Sequence, residues 1–185
     1  MKRIFLVLTI FLLASPAFLP GQLFKIGPYA GYFRANAPEL EEIYKEGELI
    51  FGGRAAINLW RGFYLWFSYS HCEFVSKTTF SEEITVLMLN PATVSLRYQL
   101  RTKILQPYIG AGYTYLRYKE EAAIGQIKGT AGDISYEGGL ELKLSANVGF
   151  DIGVRYERLM VNPTDFPSPV DLGGLQAGLT LIISF

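Results

Sequence analysis

The sequence predicts an all-β fold, an eight-stranded antiparallel up-and-down transmembrane β-barrel, on three observations. The stretch from Gly173 to Phe185, GGLQAGLTLIISF, is apolar at every second position: Leu175, Ala177, Leu179, Leu181, Ile183 and Phe185. Small or polar residues stand between them, Ile182 excepted, and a period of two is the mark of a β-strand. Next, 50% of the residues are hydrophobic, yet beyond the N-terminal leader no apolar run approaches the roughly 18 residues that a spanning helix needs. The apolar content is instead spread by alternation. Last, the connections between eight such segments run long, short, long, short, long, short, long, as short periplasmic turns and longer extracellular loops require. A bare strand with one greasy face would invite edge-to-edge aggregation in water. Closed into a barrel in a bilayer, it has no free edge, its greasy face meets lipid and its mild face lines the lumen.

The chain opens with MKRIFLVLTIFLLASPAFLPGQ, in which Lys2 and Arg3 precede an apolar core from Ile4 to Leu13 and a run of small residues. This is the pattern of a secretory signal peptide over residues 1–21, too short to span a membrane as a helix, and it implies export through the Sec pathway. Cleavage fits after Ala17 or after Gly21, and the sequence does not separate the two. The 17 basic and 17 acidic residues balance, and removing the leader takes Lys2 and Arg3 but no acid. The slightly acidic remainder points away from nucleic acid and from a polybasic membrane switch. Cys72 is the one cysteine, so no internal disulfide can form. Residues 22–185 are then a single barrel domain.

Strand one, Phe24 to Arg34 (FKIGPYAGYFR), is studded with Gly and Tyr, and its two faces are the least distinct. Strand two, Glu48 to Leu59, sets Leu49, Phe51, Ala55, Ile57 and Leu59 against Gly52, Arg54, Ala56 and Asn58. After the turn Trp60-Arg61-Gly62, strand three, Phe63 to Val75, sets Phe63, Leu65, Phe67 and Tyr69 against Tyr64, Trp66, Ser68, Ser70 and Cys72. Strand four runs from Ile84 to Leu100, with Asn90-Pro91 expected to bulge or to end pairing, because proline donates nothing to the ladder. Past that point Ala92, Val94, Leu96, Tyr98 and Leu100 face out, and Thr93, Ser95, Arg97 and Gln99 face in. Strand five is Pro107 to Tyr118 (PYIGAGYTYLRY), with Ile109, Ala111, Tyr113 and Tyr115 on one face. Strand six, Asp133 to Leu144, alternates Ile134, Tyr136, Leu140 and Leu142 with Ser135, Glu137, Glu141 and Lys143. Strand seven, Val148 to Met160, alternates Val148, Phe150, Ile152, Val154 and Tyr156 with Asp151, Arg155 and Glu157. Four outer loops are expected at residues 35–47, 76–83, 119–132 and 161–171; they are short and acidic, and their sequences name no extracellular ligand.

PYIGAGYTY at 107–115, the eight-strand tally and the terminal LTLIISF together resemble the small outer-membrane barrels of the OmpA-barrel, OmpX and OmpW type, and the resemblance covers essentially the whole mature chain. It implies residence in the outer membrane of a Gram-negative type cell, amid outer-membrane lipid and lipopolysaccharide, as a monomer. It also implies that Leu179, Leu181, Ile183 and Phe185 form the signal read by the barrel-insertion machinery. Unlike the OmpA pattern, the chain ends at Phe185 with no cell-wall-binding domain after the barrel.

The inward parity places Arg54, Arg97, Glu137, Glu141, Lys143, Asp151, Arg155 and Glu157 in the lumen. An eight-stranded barrel is just wide enough for side chains to fill, and charges persist there only when paired. Glu137 or Glu141 is expected to meet Arg155, and Lys143 to meet Asp151. The expected function is a non-enzymatic barrel with a sealed, charge-paired lumen, serving envelope structure or surface interaction; the alternative is a narrow channel for ions or small molecules through the same network. Because some barrels of this size modify lipid A acyl chains, His71, the one histidine, is the residue to consider as a catalyst. It faces outward with Tyr69 and Glu73, while Ser70 and Ser68 take the other face, so no serine is placed for a hydrolase. One His and one Cys on opposite faces make no metal site, and no cofactor is implied. A soluble ligand-carrying barrel would reverse the faces, with apolar residues inside and ions outside.

Overall fold

The computed structural model describes residues 23–37, 44, 47–77, 84–122, 125–161 and 169–185. The expected signal peptide and both cleavage positions lie outside the described residues. The strands are β1 (Phe24–Ala35), β2 (Glu48–Trp60), β3 (Phe63–Lys77), β4 (Ile84–Gln99), β5 (Leu105–Ala122), β6 (Gly125–Lys143), β7 (Val148–Glu157), β8 (Met160–Val161), β9 (Val170–Asp171) and β10 (Gly174–Ser184). Eight of them form a closed antiparallel barrel in which each pairs with the next and β10 pairs with both β7 and β1; β8 and β9 form a small separate ribbon. The seam is held beyond the ladder as well, with Phe185 N donating to Phe24 O (2.9 Å) and Leu23 N donating to Phe185 O (2.7 Å).

The register fixes the barrel's shape. From Phe24, successive partners are Ile57, Leu65, Leu96, Ala111, Tyr136, Tyr156 and Leu175, and Leu175 faces Arg34. One circuit therefore returns to β1 about ten residues further along, a shear that tilts the strands by roughly 40°. At that tilt a strand climbs about 2.5 Å per residue, so an apolar band of about 25 Å takes about ten residues. Ten-residue spans fit every strand, for example Leu100 up to Asn90, Leu105 up to Tyr115 and Leu144 up to Ile134. The outward face over these spans is apolar and bare: Leu96, Ile109, Leu140, Ile152 and Leu179 are all exposed, Ile109 by 72%. Trp60, Phe63, Tyr98 and Phe185 ring the end that carries the short turns, and Tyr32, Tyr69, Tyr115 and Tyr156 ring the other, also exposed, as interfacial girdles do.

Two expectations about elements need correction. Within the expected loop 119–132, residues 119–122 and 125–132 are strand: β5 and β6 stay paired without a break from Leu105↔Leu142 to Ala122↔Gly125. The segment lacks a lipid-facing apolar row, which a ribbon standing in water does not need, so its sequence carries no strand signal. Nor does Asn90-Pro91 bulge or end the strand. The β4–β5 register runs through it (Asn90↔Arg117, Pro91↔Leu116) and the β3–β4 register is the same on either side (Tyr69↔Ala92, Cys72↔Leu89). The missing proline N–H costs only the pairing with β3 at that point. The irregularity lies instead between Asn58 and Trp60, beside the first short turn. There Arg61 (φ 43°) and Gly62 (φ 95°) both take positive φ, the hairpin conformation that matches strand twist. A Cβ on Gly62 would stand 2.5 Å from Gln99 O, so this position requires glycine.

Candidate functional site

The lumen is filled in two layers. The layer toward the short turns is ionic. Strands β2, β4, β6 and β7 aim Arg54, Arg97, Glu137, Glu141, Asp151, Arg155 and Glu157 inward, all buried. The centre is Arg97, 1% exposed: its Nε donates to Glu137 Oε1 (3.1 Å) and its Nη1 to Asp151 Oδ2 (2.7 Å). Its guanidinium lies between two rings, 4.1 Å from the centroid of Trp66 and 3.7 Å from that of Tyr108, so π faces cover what carboxylates do not. Arg155 faces Glu137 across the β6–β7 ladder and donates from Nη2 to Glu137 Oε2 (3.0 Å) and from Nη1 to Ser68 Oγ (2.9 Å) and Thr93 Oγ1 (3.1 Å). Arg54 Nη1 donates to Asp151 Oδ1 (3.3 Å), which also accepts from Tyr108 OH (3.1 Å). Each carboxylate at the centre thus serves two cations, as charges removed from water require.

Lys25 belongs to this network, and the sequence reading missed it. Its Nζ lies 2.6 Å from Glu141 Oε2 and 3.1 Å from Gln99 Oε1, and it sits over the Tyr64 ring. The readable signal was Phe24 and Ile26, both outward, which leave Lys25 inward. Lys143 does not take the expected place. It faces Gly149 rather than Asp151 in the register, is half-buried at the rim, and makes no ion pair among the described residues. The expected Lys143–Asp151 pair is therefore replaced by Arg97 and Arg54 on Asp151. Below Lys25, Ile182 packs against Ala56, Tyr64 and Trp66. That explains the one break in the alternation of the last strand: Ile182 faces in and is 1% exposed.

The layer toward the outer end is apolar, which was not expected. Tyr29, Phe33, Ile50, Cys72, Phe74, Leu87, Leu89 and Leu116 form one buried cluster inside the barrel. Tyr44, between β1 and β2, stands edge-on to Phe74 (6.2 Å), and Leu159, Val161 and Leu172 complete the cluster. Tyr44 OH donates to Glu120 Oε1 (2.6 Å). The β8–β9 ribbon is fastened by Asp171, whose Oδ1 accepts from Leu159 N (2.8 Å) and Gly173 N (2.9 Å) and whose Oδ2 accepts from Asn36 Nδ2 (3.3 Å). A void of about 10 Å³ between the two layers, lined by Phe33, Leu89, Leu116, Glu157 and Gln176 among others, has room for about one water.

His71 is held on the outer surface. Its Nδ1 is 2.9 Å from Asn90 Oδ1 and its Nε2 is 3.9 Å from Glu73 Oε2. Ser68 and Ser70 are buried on the opposite face. Among the described residues no three His, Cys, Asp or Glu side chains converge as a metal site would need. The terminal residues Leu179, Leu181, Ile183 and Phe185 all lie exposed on the lipid face of β10 and at its end.

The outer membrane protein beta-barrel domain family matches residues 5–181 of the chain. The chain belongs to that family. No curated protein matches it. Solved barrels do: OprG, an outer membrane protein of Pseudomonas aeruginosa, is 12% identical with a TM-score of 0.71, covering 89% of this chain and 96% of that one. Neisserial surface protein A is 16% identical with a TM-score of 0.66, covering 88% and 97%. The N-terminal β-barrel domain of Pseudomonas aeruginosa OprF is 17% identical with a TM-score of 0.60, covering 89% and 99%. At these identities the likeness is one of fold. The outer membrane protein beta-barrel domain family sets the address, the outer membrane, and the architecture, a closed antiparallel all-β barrel of eight strands.

Proposed function

We propose that this barrel is a sealed, non-enzymatic outer-membrane protein that supports the envelope and presents its outer ribbon and loops for surface contact. The filling of the lumen carries the reading. A continuous aqueous path needs polar walls and free volume. Here the ionic layer is cross-bonded from strand to strand, the layer above it is hydrocarbon, and a void between them has room for about one water. Opening such a path would separate buried ion pairs and wet an apolar cluster at once, and both are costly. On the outside, the one histidine is hydrogen-bonded to Asn90 and lies 3.9 Å from Glu73, while Ser68 and Ser70 are buried on the opposite face, which disfavours lipid A acyl chemistry by a serine nucleophile. We assign export to the Sec pathway and insertion to recognition of the terminal Leu179, Leu181, Ile183 and Phe185. Planar-bilayer recording of the purified protein tests the sealed lumen. The expected result is no stepwise current in the wild type; discrete openings that change with Arg97→Ala would overturn it in favour of a narrow channel.

A further inference from the structure

The outer face of the β3–β6 wall changes character within two rows of the ladder. The row Tyr69, Ala92, Tyr115 and Gly132 is aromatic and small, the next is His71, Asn90, Arg117 and Thr130, and the one beyond is Glu73, Met88, Lys119 and Lys128. Tyr69 and Tyr115 are exposed tyrosines at the level where the ten-residue apolar span ends. Arg117, Lys119 and Lys128 therefore stand just above the hydrocarbon boundary, on the lipid side of the wall.

Three cations gather at this spot, and two of them, Arg117 and Lys128, have no ionic partner among the described residues. Lys119 and Lys128 are directly opposed across the β5–β6 ladder, an arrangement in which like charges repel. Lys119 is paired with Glu121, which also accepts from Gln126 Nε2 at 2.9 Å. Arg117 and Lys128 are exposed and make no side-chain hydrogen bond or ion pair among the described residues. The acid of the same row, Glu73, lies three strands away from Lys128 and points to His71. In a β-ladder, opposed Cβ atoms lie about 5 Å apart and diagonal ones about 7–8 Å, so the three heads can converge on one group the size of a phosphate. A guanidinium offers it a planar fork, and the two ammoniums lose their mutual repulsion once an anion sits between them. The hydroxyl of Thr130, opposite Arg117, adds a neutral donor.

We propose that Arg117, Lys119 and Lys128 form a site on the outside of the barrel for the phosphate monoester of an outer-leaflet lipid headgroup, with the lipid's chains lying along Tyr113, Tyr115 and Ile134 below. The site deepens the surface role proposed above but does not depend on the lumen, so it stands whether or not the barrel conducts.

The test is native mass spectrometry of the folded mature protein in neutral detergent, with folding checked for each variant by the mobility difference of boiled and unboiled samples. Three probes are compared: phosphatidic acid, which carries a phosphate monoester, phosphatidylcholine, and inorganic phosphate. Wild-type protein is expected to retain phosphatidic acid about tenfold better than phosphatidylcholine, and the double variant Arg117→Gln/Lys128→Gln to retain the two equally. Lys103→Gln, exposed in a turn at the opposite end, is expected to match wild type. The proposal is overturned if the double variant retains phosphatidic acid as wild type does, if Lys103→Gln loses as much, or if millimolar inorganic phosphate displaces all the bound lipid, which would mark a site for the free ion.

Discussion

Arg97→Ala removes the residue that joins most of the ionic layer. Arg97 is fully buried and contacts two carboxylates, Glu137 and Asp151, and two rings, Trp66 and Tyr108. Deleting one partner of a buried pair costs about 3–5 kcal/mol because the survivor is left unpaired. Neither survivor is wholly orphaned here: Glu137 keeps Arg155 and Ser95, and Asp151 keeps Arg54 and Tyr108. That places the ionic loss near about 3 kcal/mol, and two desolvated ring contacts add about 1 kcal/mol. The expected destabilisation is about 4 kcal/mol, read by urea titration in phospholipid vesicles with tryptophan fluorescence. Trp66 reports directly, and its signal can be isolated in a Trp60→Phe background. Exposed Arg101, which bonds Asn58 at 3.1 Å and also reaches Tyr64, should lose less than about 1 kcal/mol as Arg101→Ala. A double-mutant cycle with Asp151→Ala isolates the pair, with a coupling of about 2 kcal/mol expected. A loss below about 1 kcal/mol for Arg97→Ala, or a cycle that closes to zero, would refute the view that these charges hold the barrel together.

The lipid boundary can be tested with two residues of nearly equal exposure, Leu96 at 48% and Val75 at 49%. Leu96→Arg, at mid-span, should cost about 2–4 kcal/mol in vesicles and Val75→Arg, beyond the boundary, close to nothing. Tyr44→Phe should lose about 1 kcal/mol with the bond to Glu120, and Tyr44→Ala about 3 kcal/mol with the ring's burial, both in the same titration. The hydrogen bond from Lys119 holds the Glu121 carboxyl below its ordinary range. A depressed folded-state value means that this support is full above the unfolded value near pH 4.5 and is lost as pH falls further. Amide exchange at the tip of the β5–β6 ribbon should therefore speed up as pH falls below the unfolded value of 4.5, relative to Glu121→Gln, which should show no such step. Cys72, buried among Ile50, Phe74 and Leu89, should resist a water-soluble thiol reagent in the folded barrel and react once unfolded in urea.

The lower two-thirds of the barrel was legible because lipid and lumen impose opposite polarities on neighbouring residues. Ala92 to Leu100 and Val148 to Tyr156 could be assigned residue by residue for that reason. Near the outer end the contrast fails. Cys72, Phe74, Leu87, Leu89 and Leu116 are apolar but face inward, beside outward residues that are themselves apolar or charged. Alternation carries no sign there, and the expectation of a polar lumen was extended too far. Above the membrane the outward face meets water, so Lys119, Glu121 and Lys128 read as loop although the ladder continues. In β1, Gly27, Pro28 and Gly31 blur both faces, which hid Lys25. The pairs within the lumen depended on register, and single-sequence periodicity leaves register open.

Register also explains why a barrel of this kind would keep ions in its interior when a hydrocarbon filling could be as stable. Inside–outside alternation forbids slipping a strand by one residue, since every side chain would change face. It does not forbid a slip of two, which preserves both faces and would change the shear and the radius. The ion pairs do forbid it. Moving β7 by two against β6 would set Glu137 opposite Gly153 or Glu157 in place of Arg155, stranding a buried guanidinium and, in the second case, opposing two carboxylates. Moving β4 by two would carry Arg97 away from Glu137 and from the gap between Trp66 and Tyr108. The apolar layer above exerts no such control, because Leu87 and Leu89, or Phe74 and Cys72, can exchange levels and still fill space. The ionic layer restricts how the strands align, and the apolar layer fills the space above it.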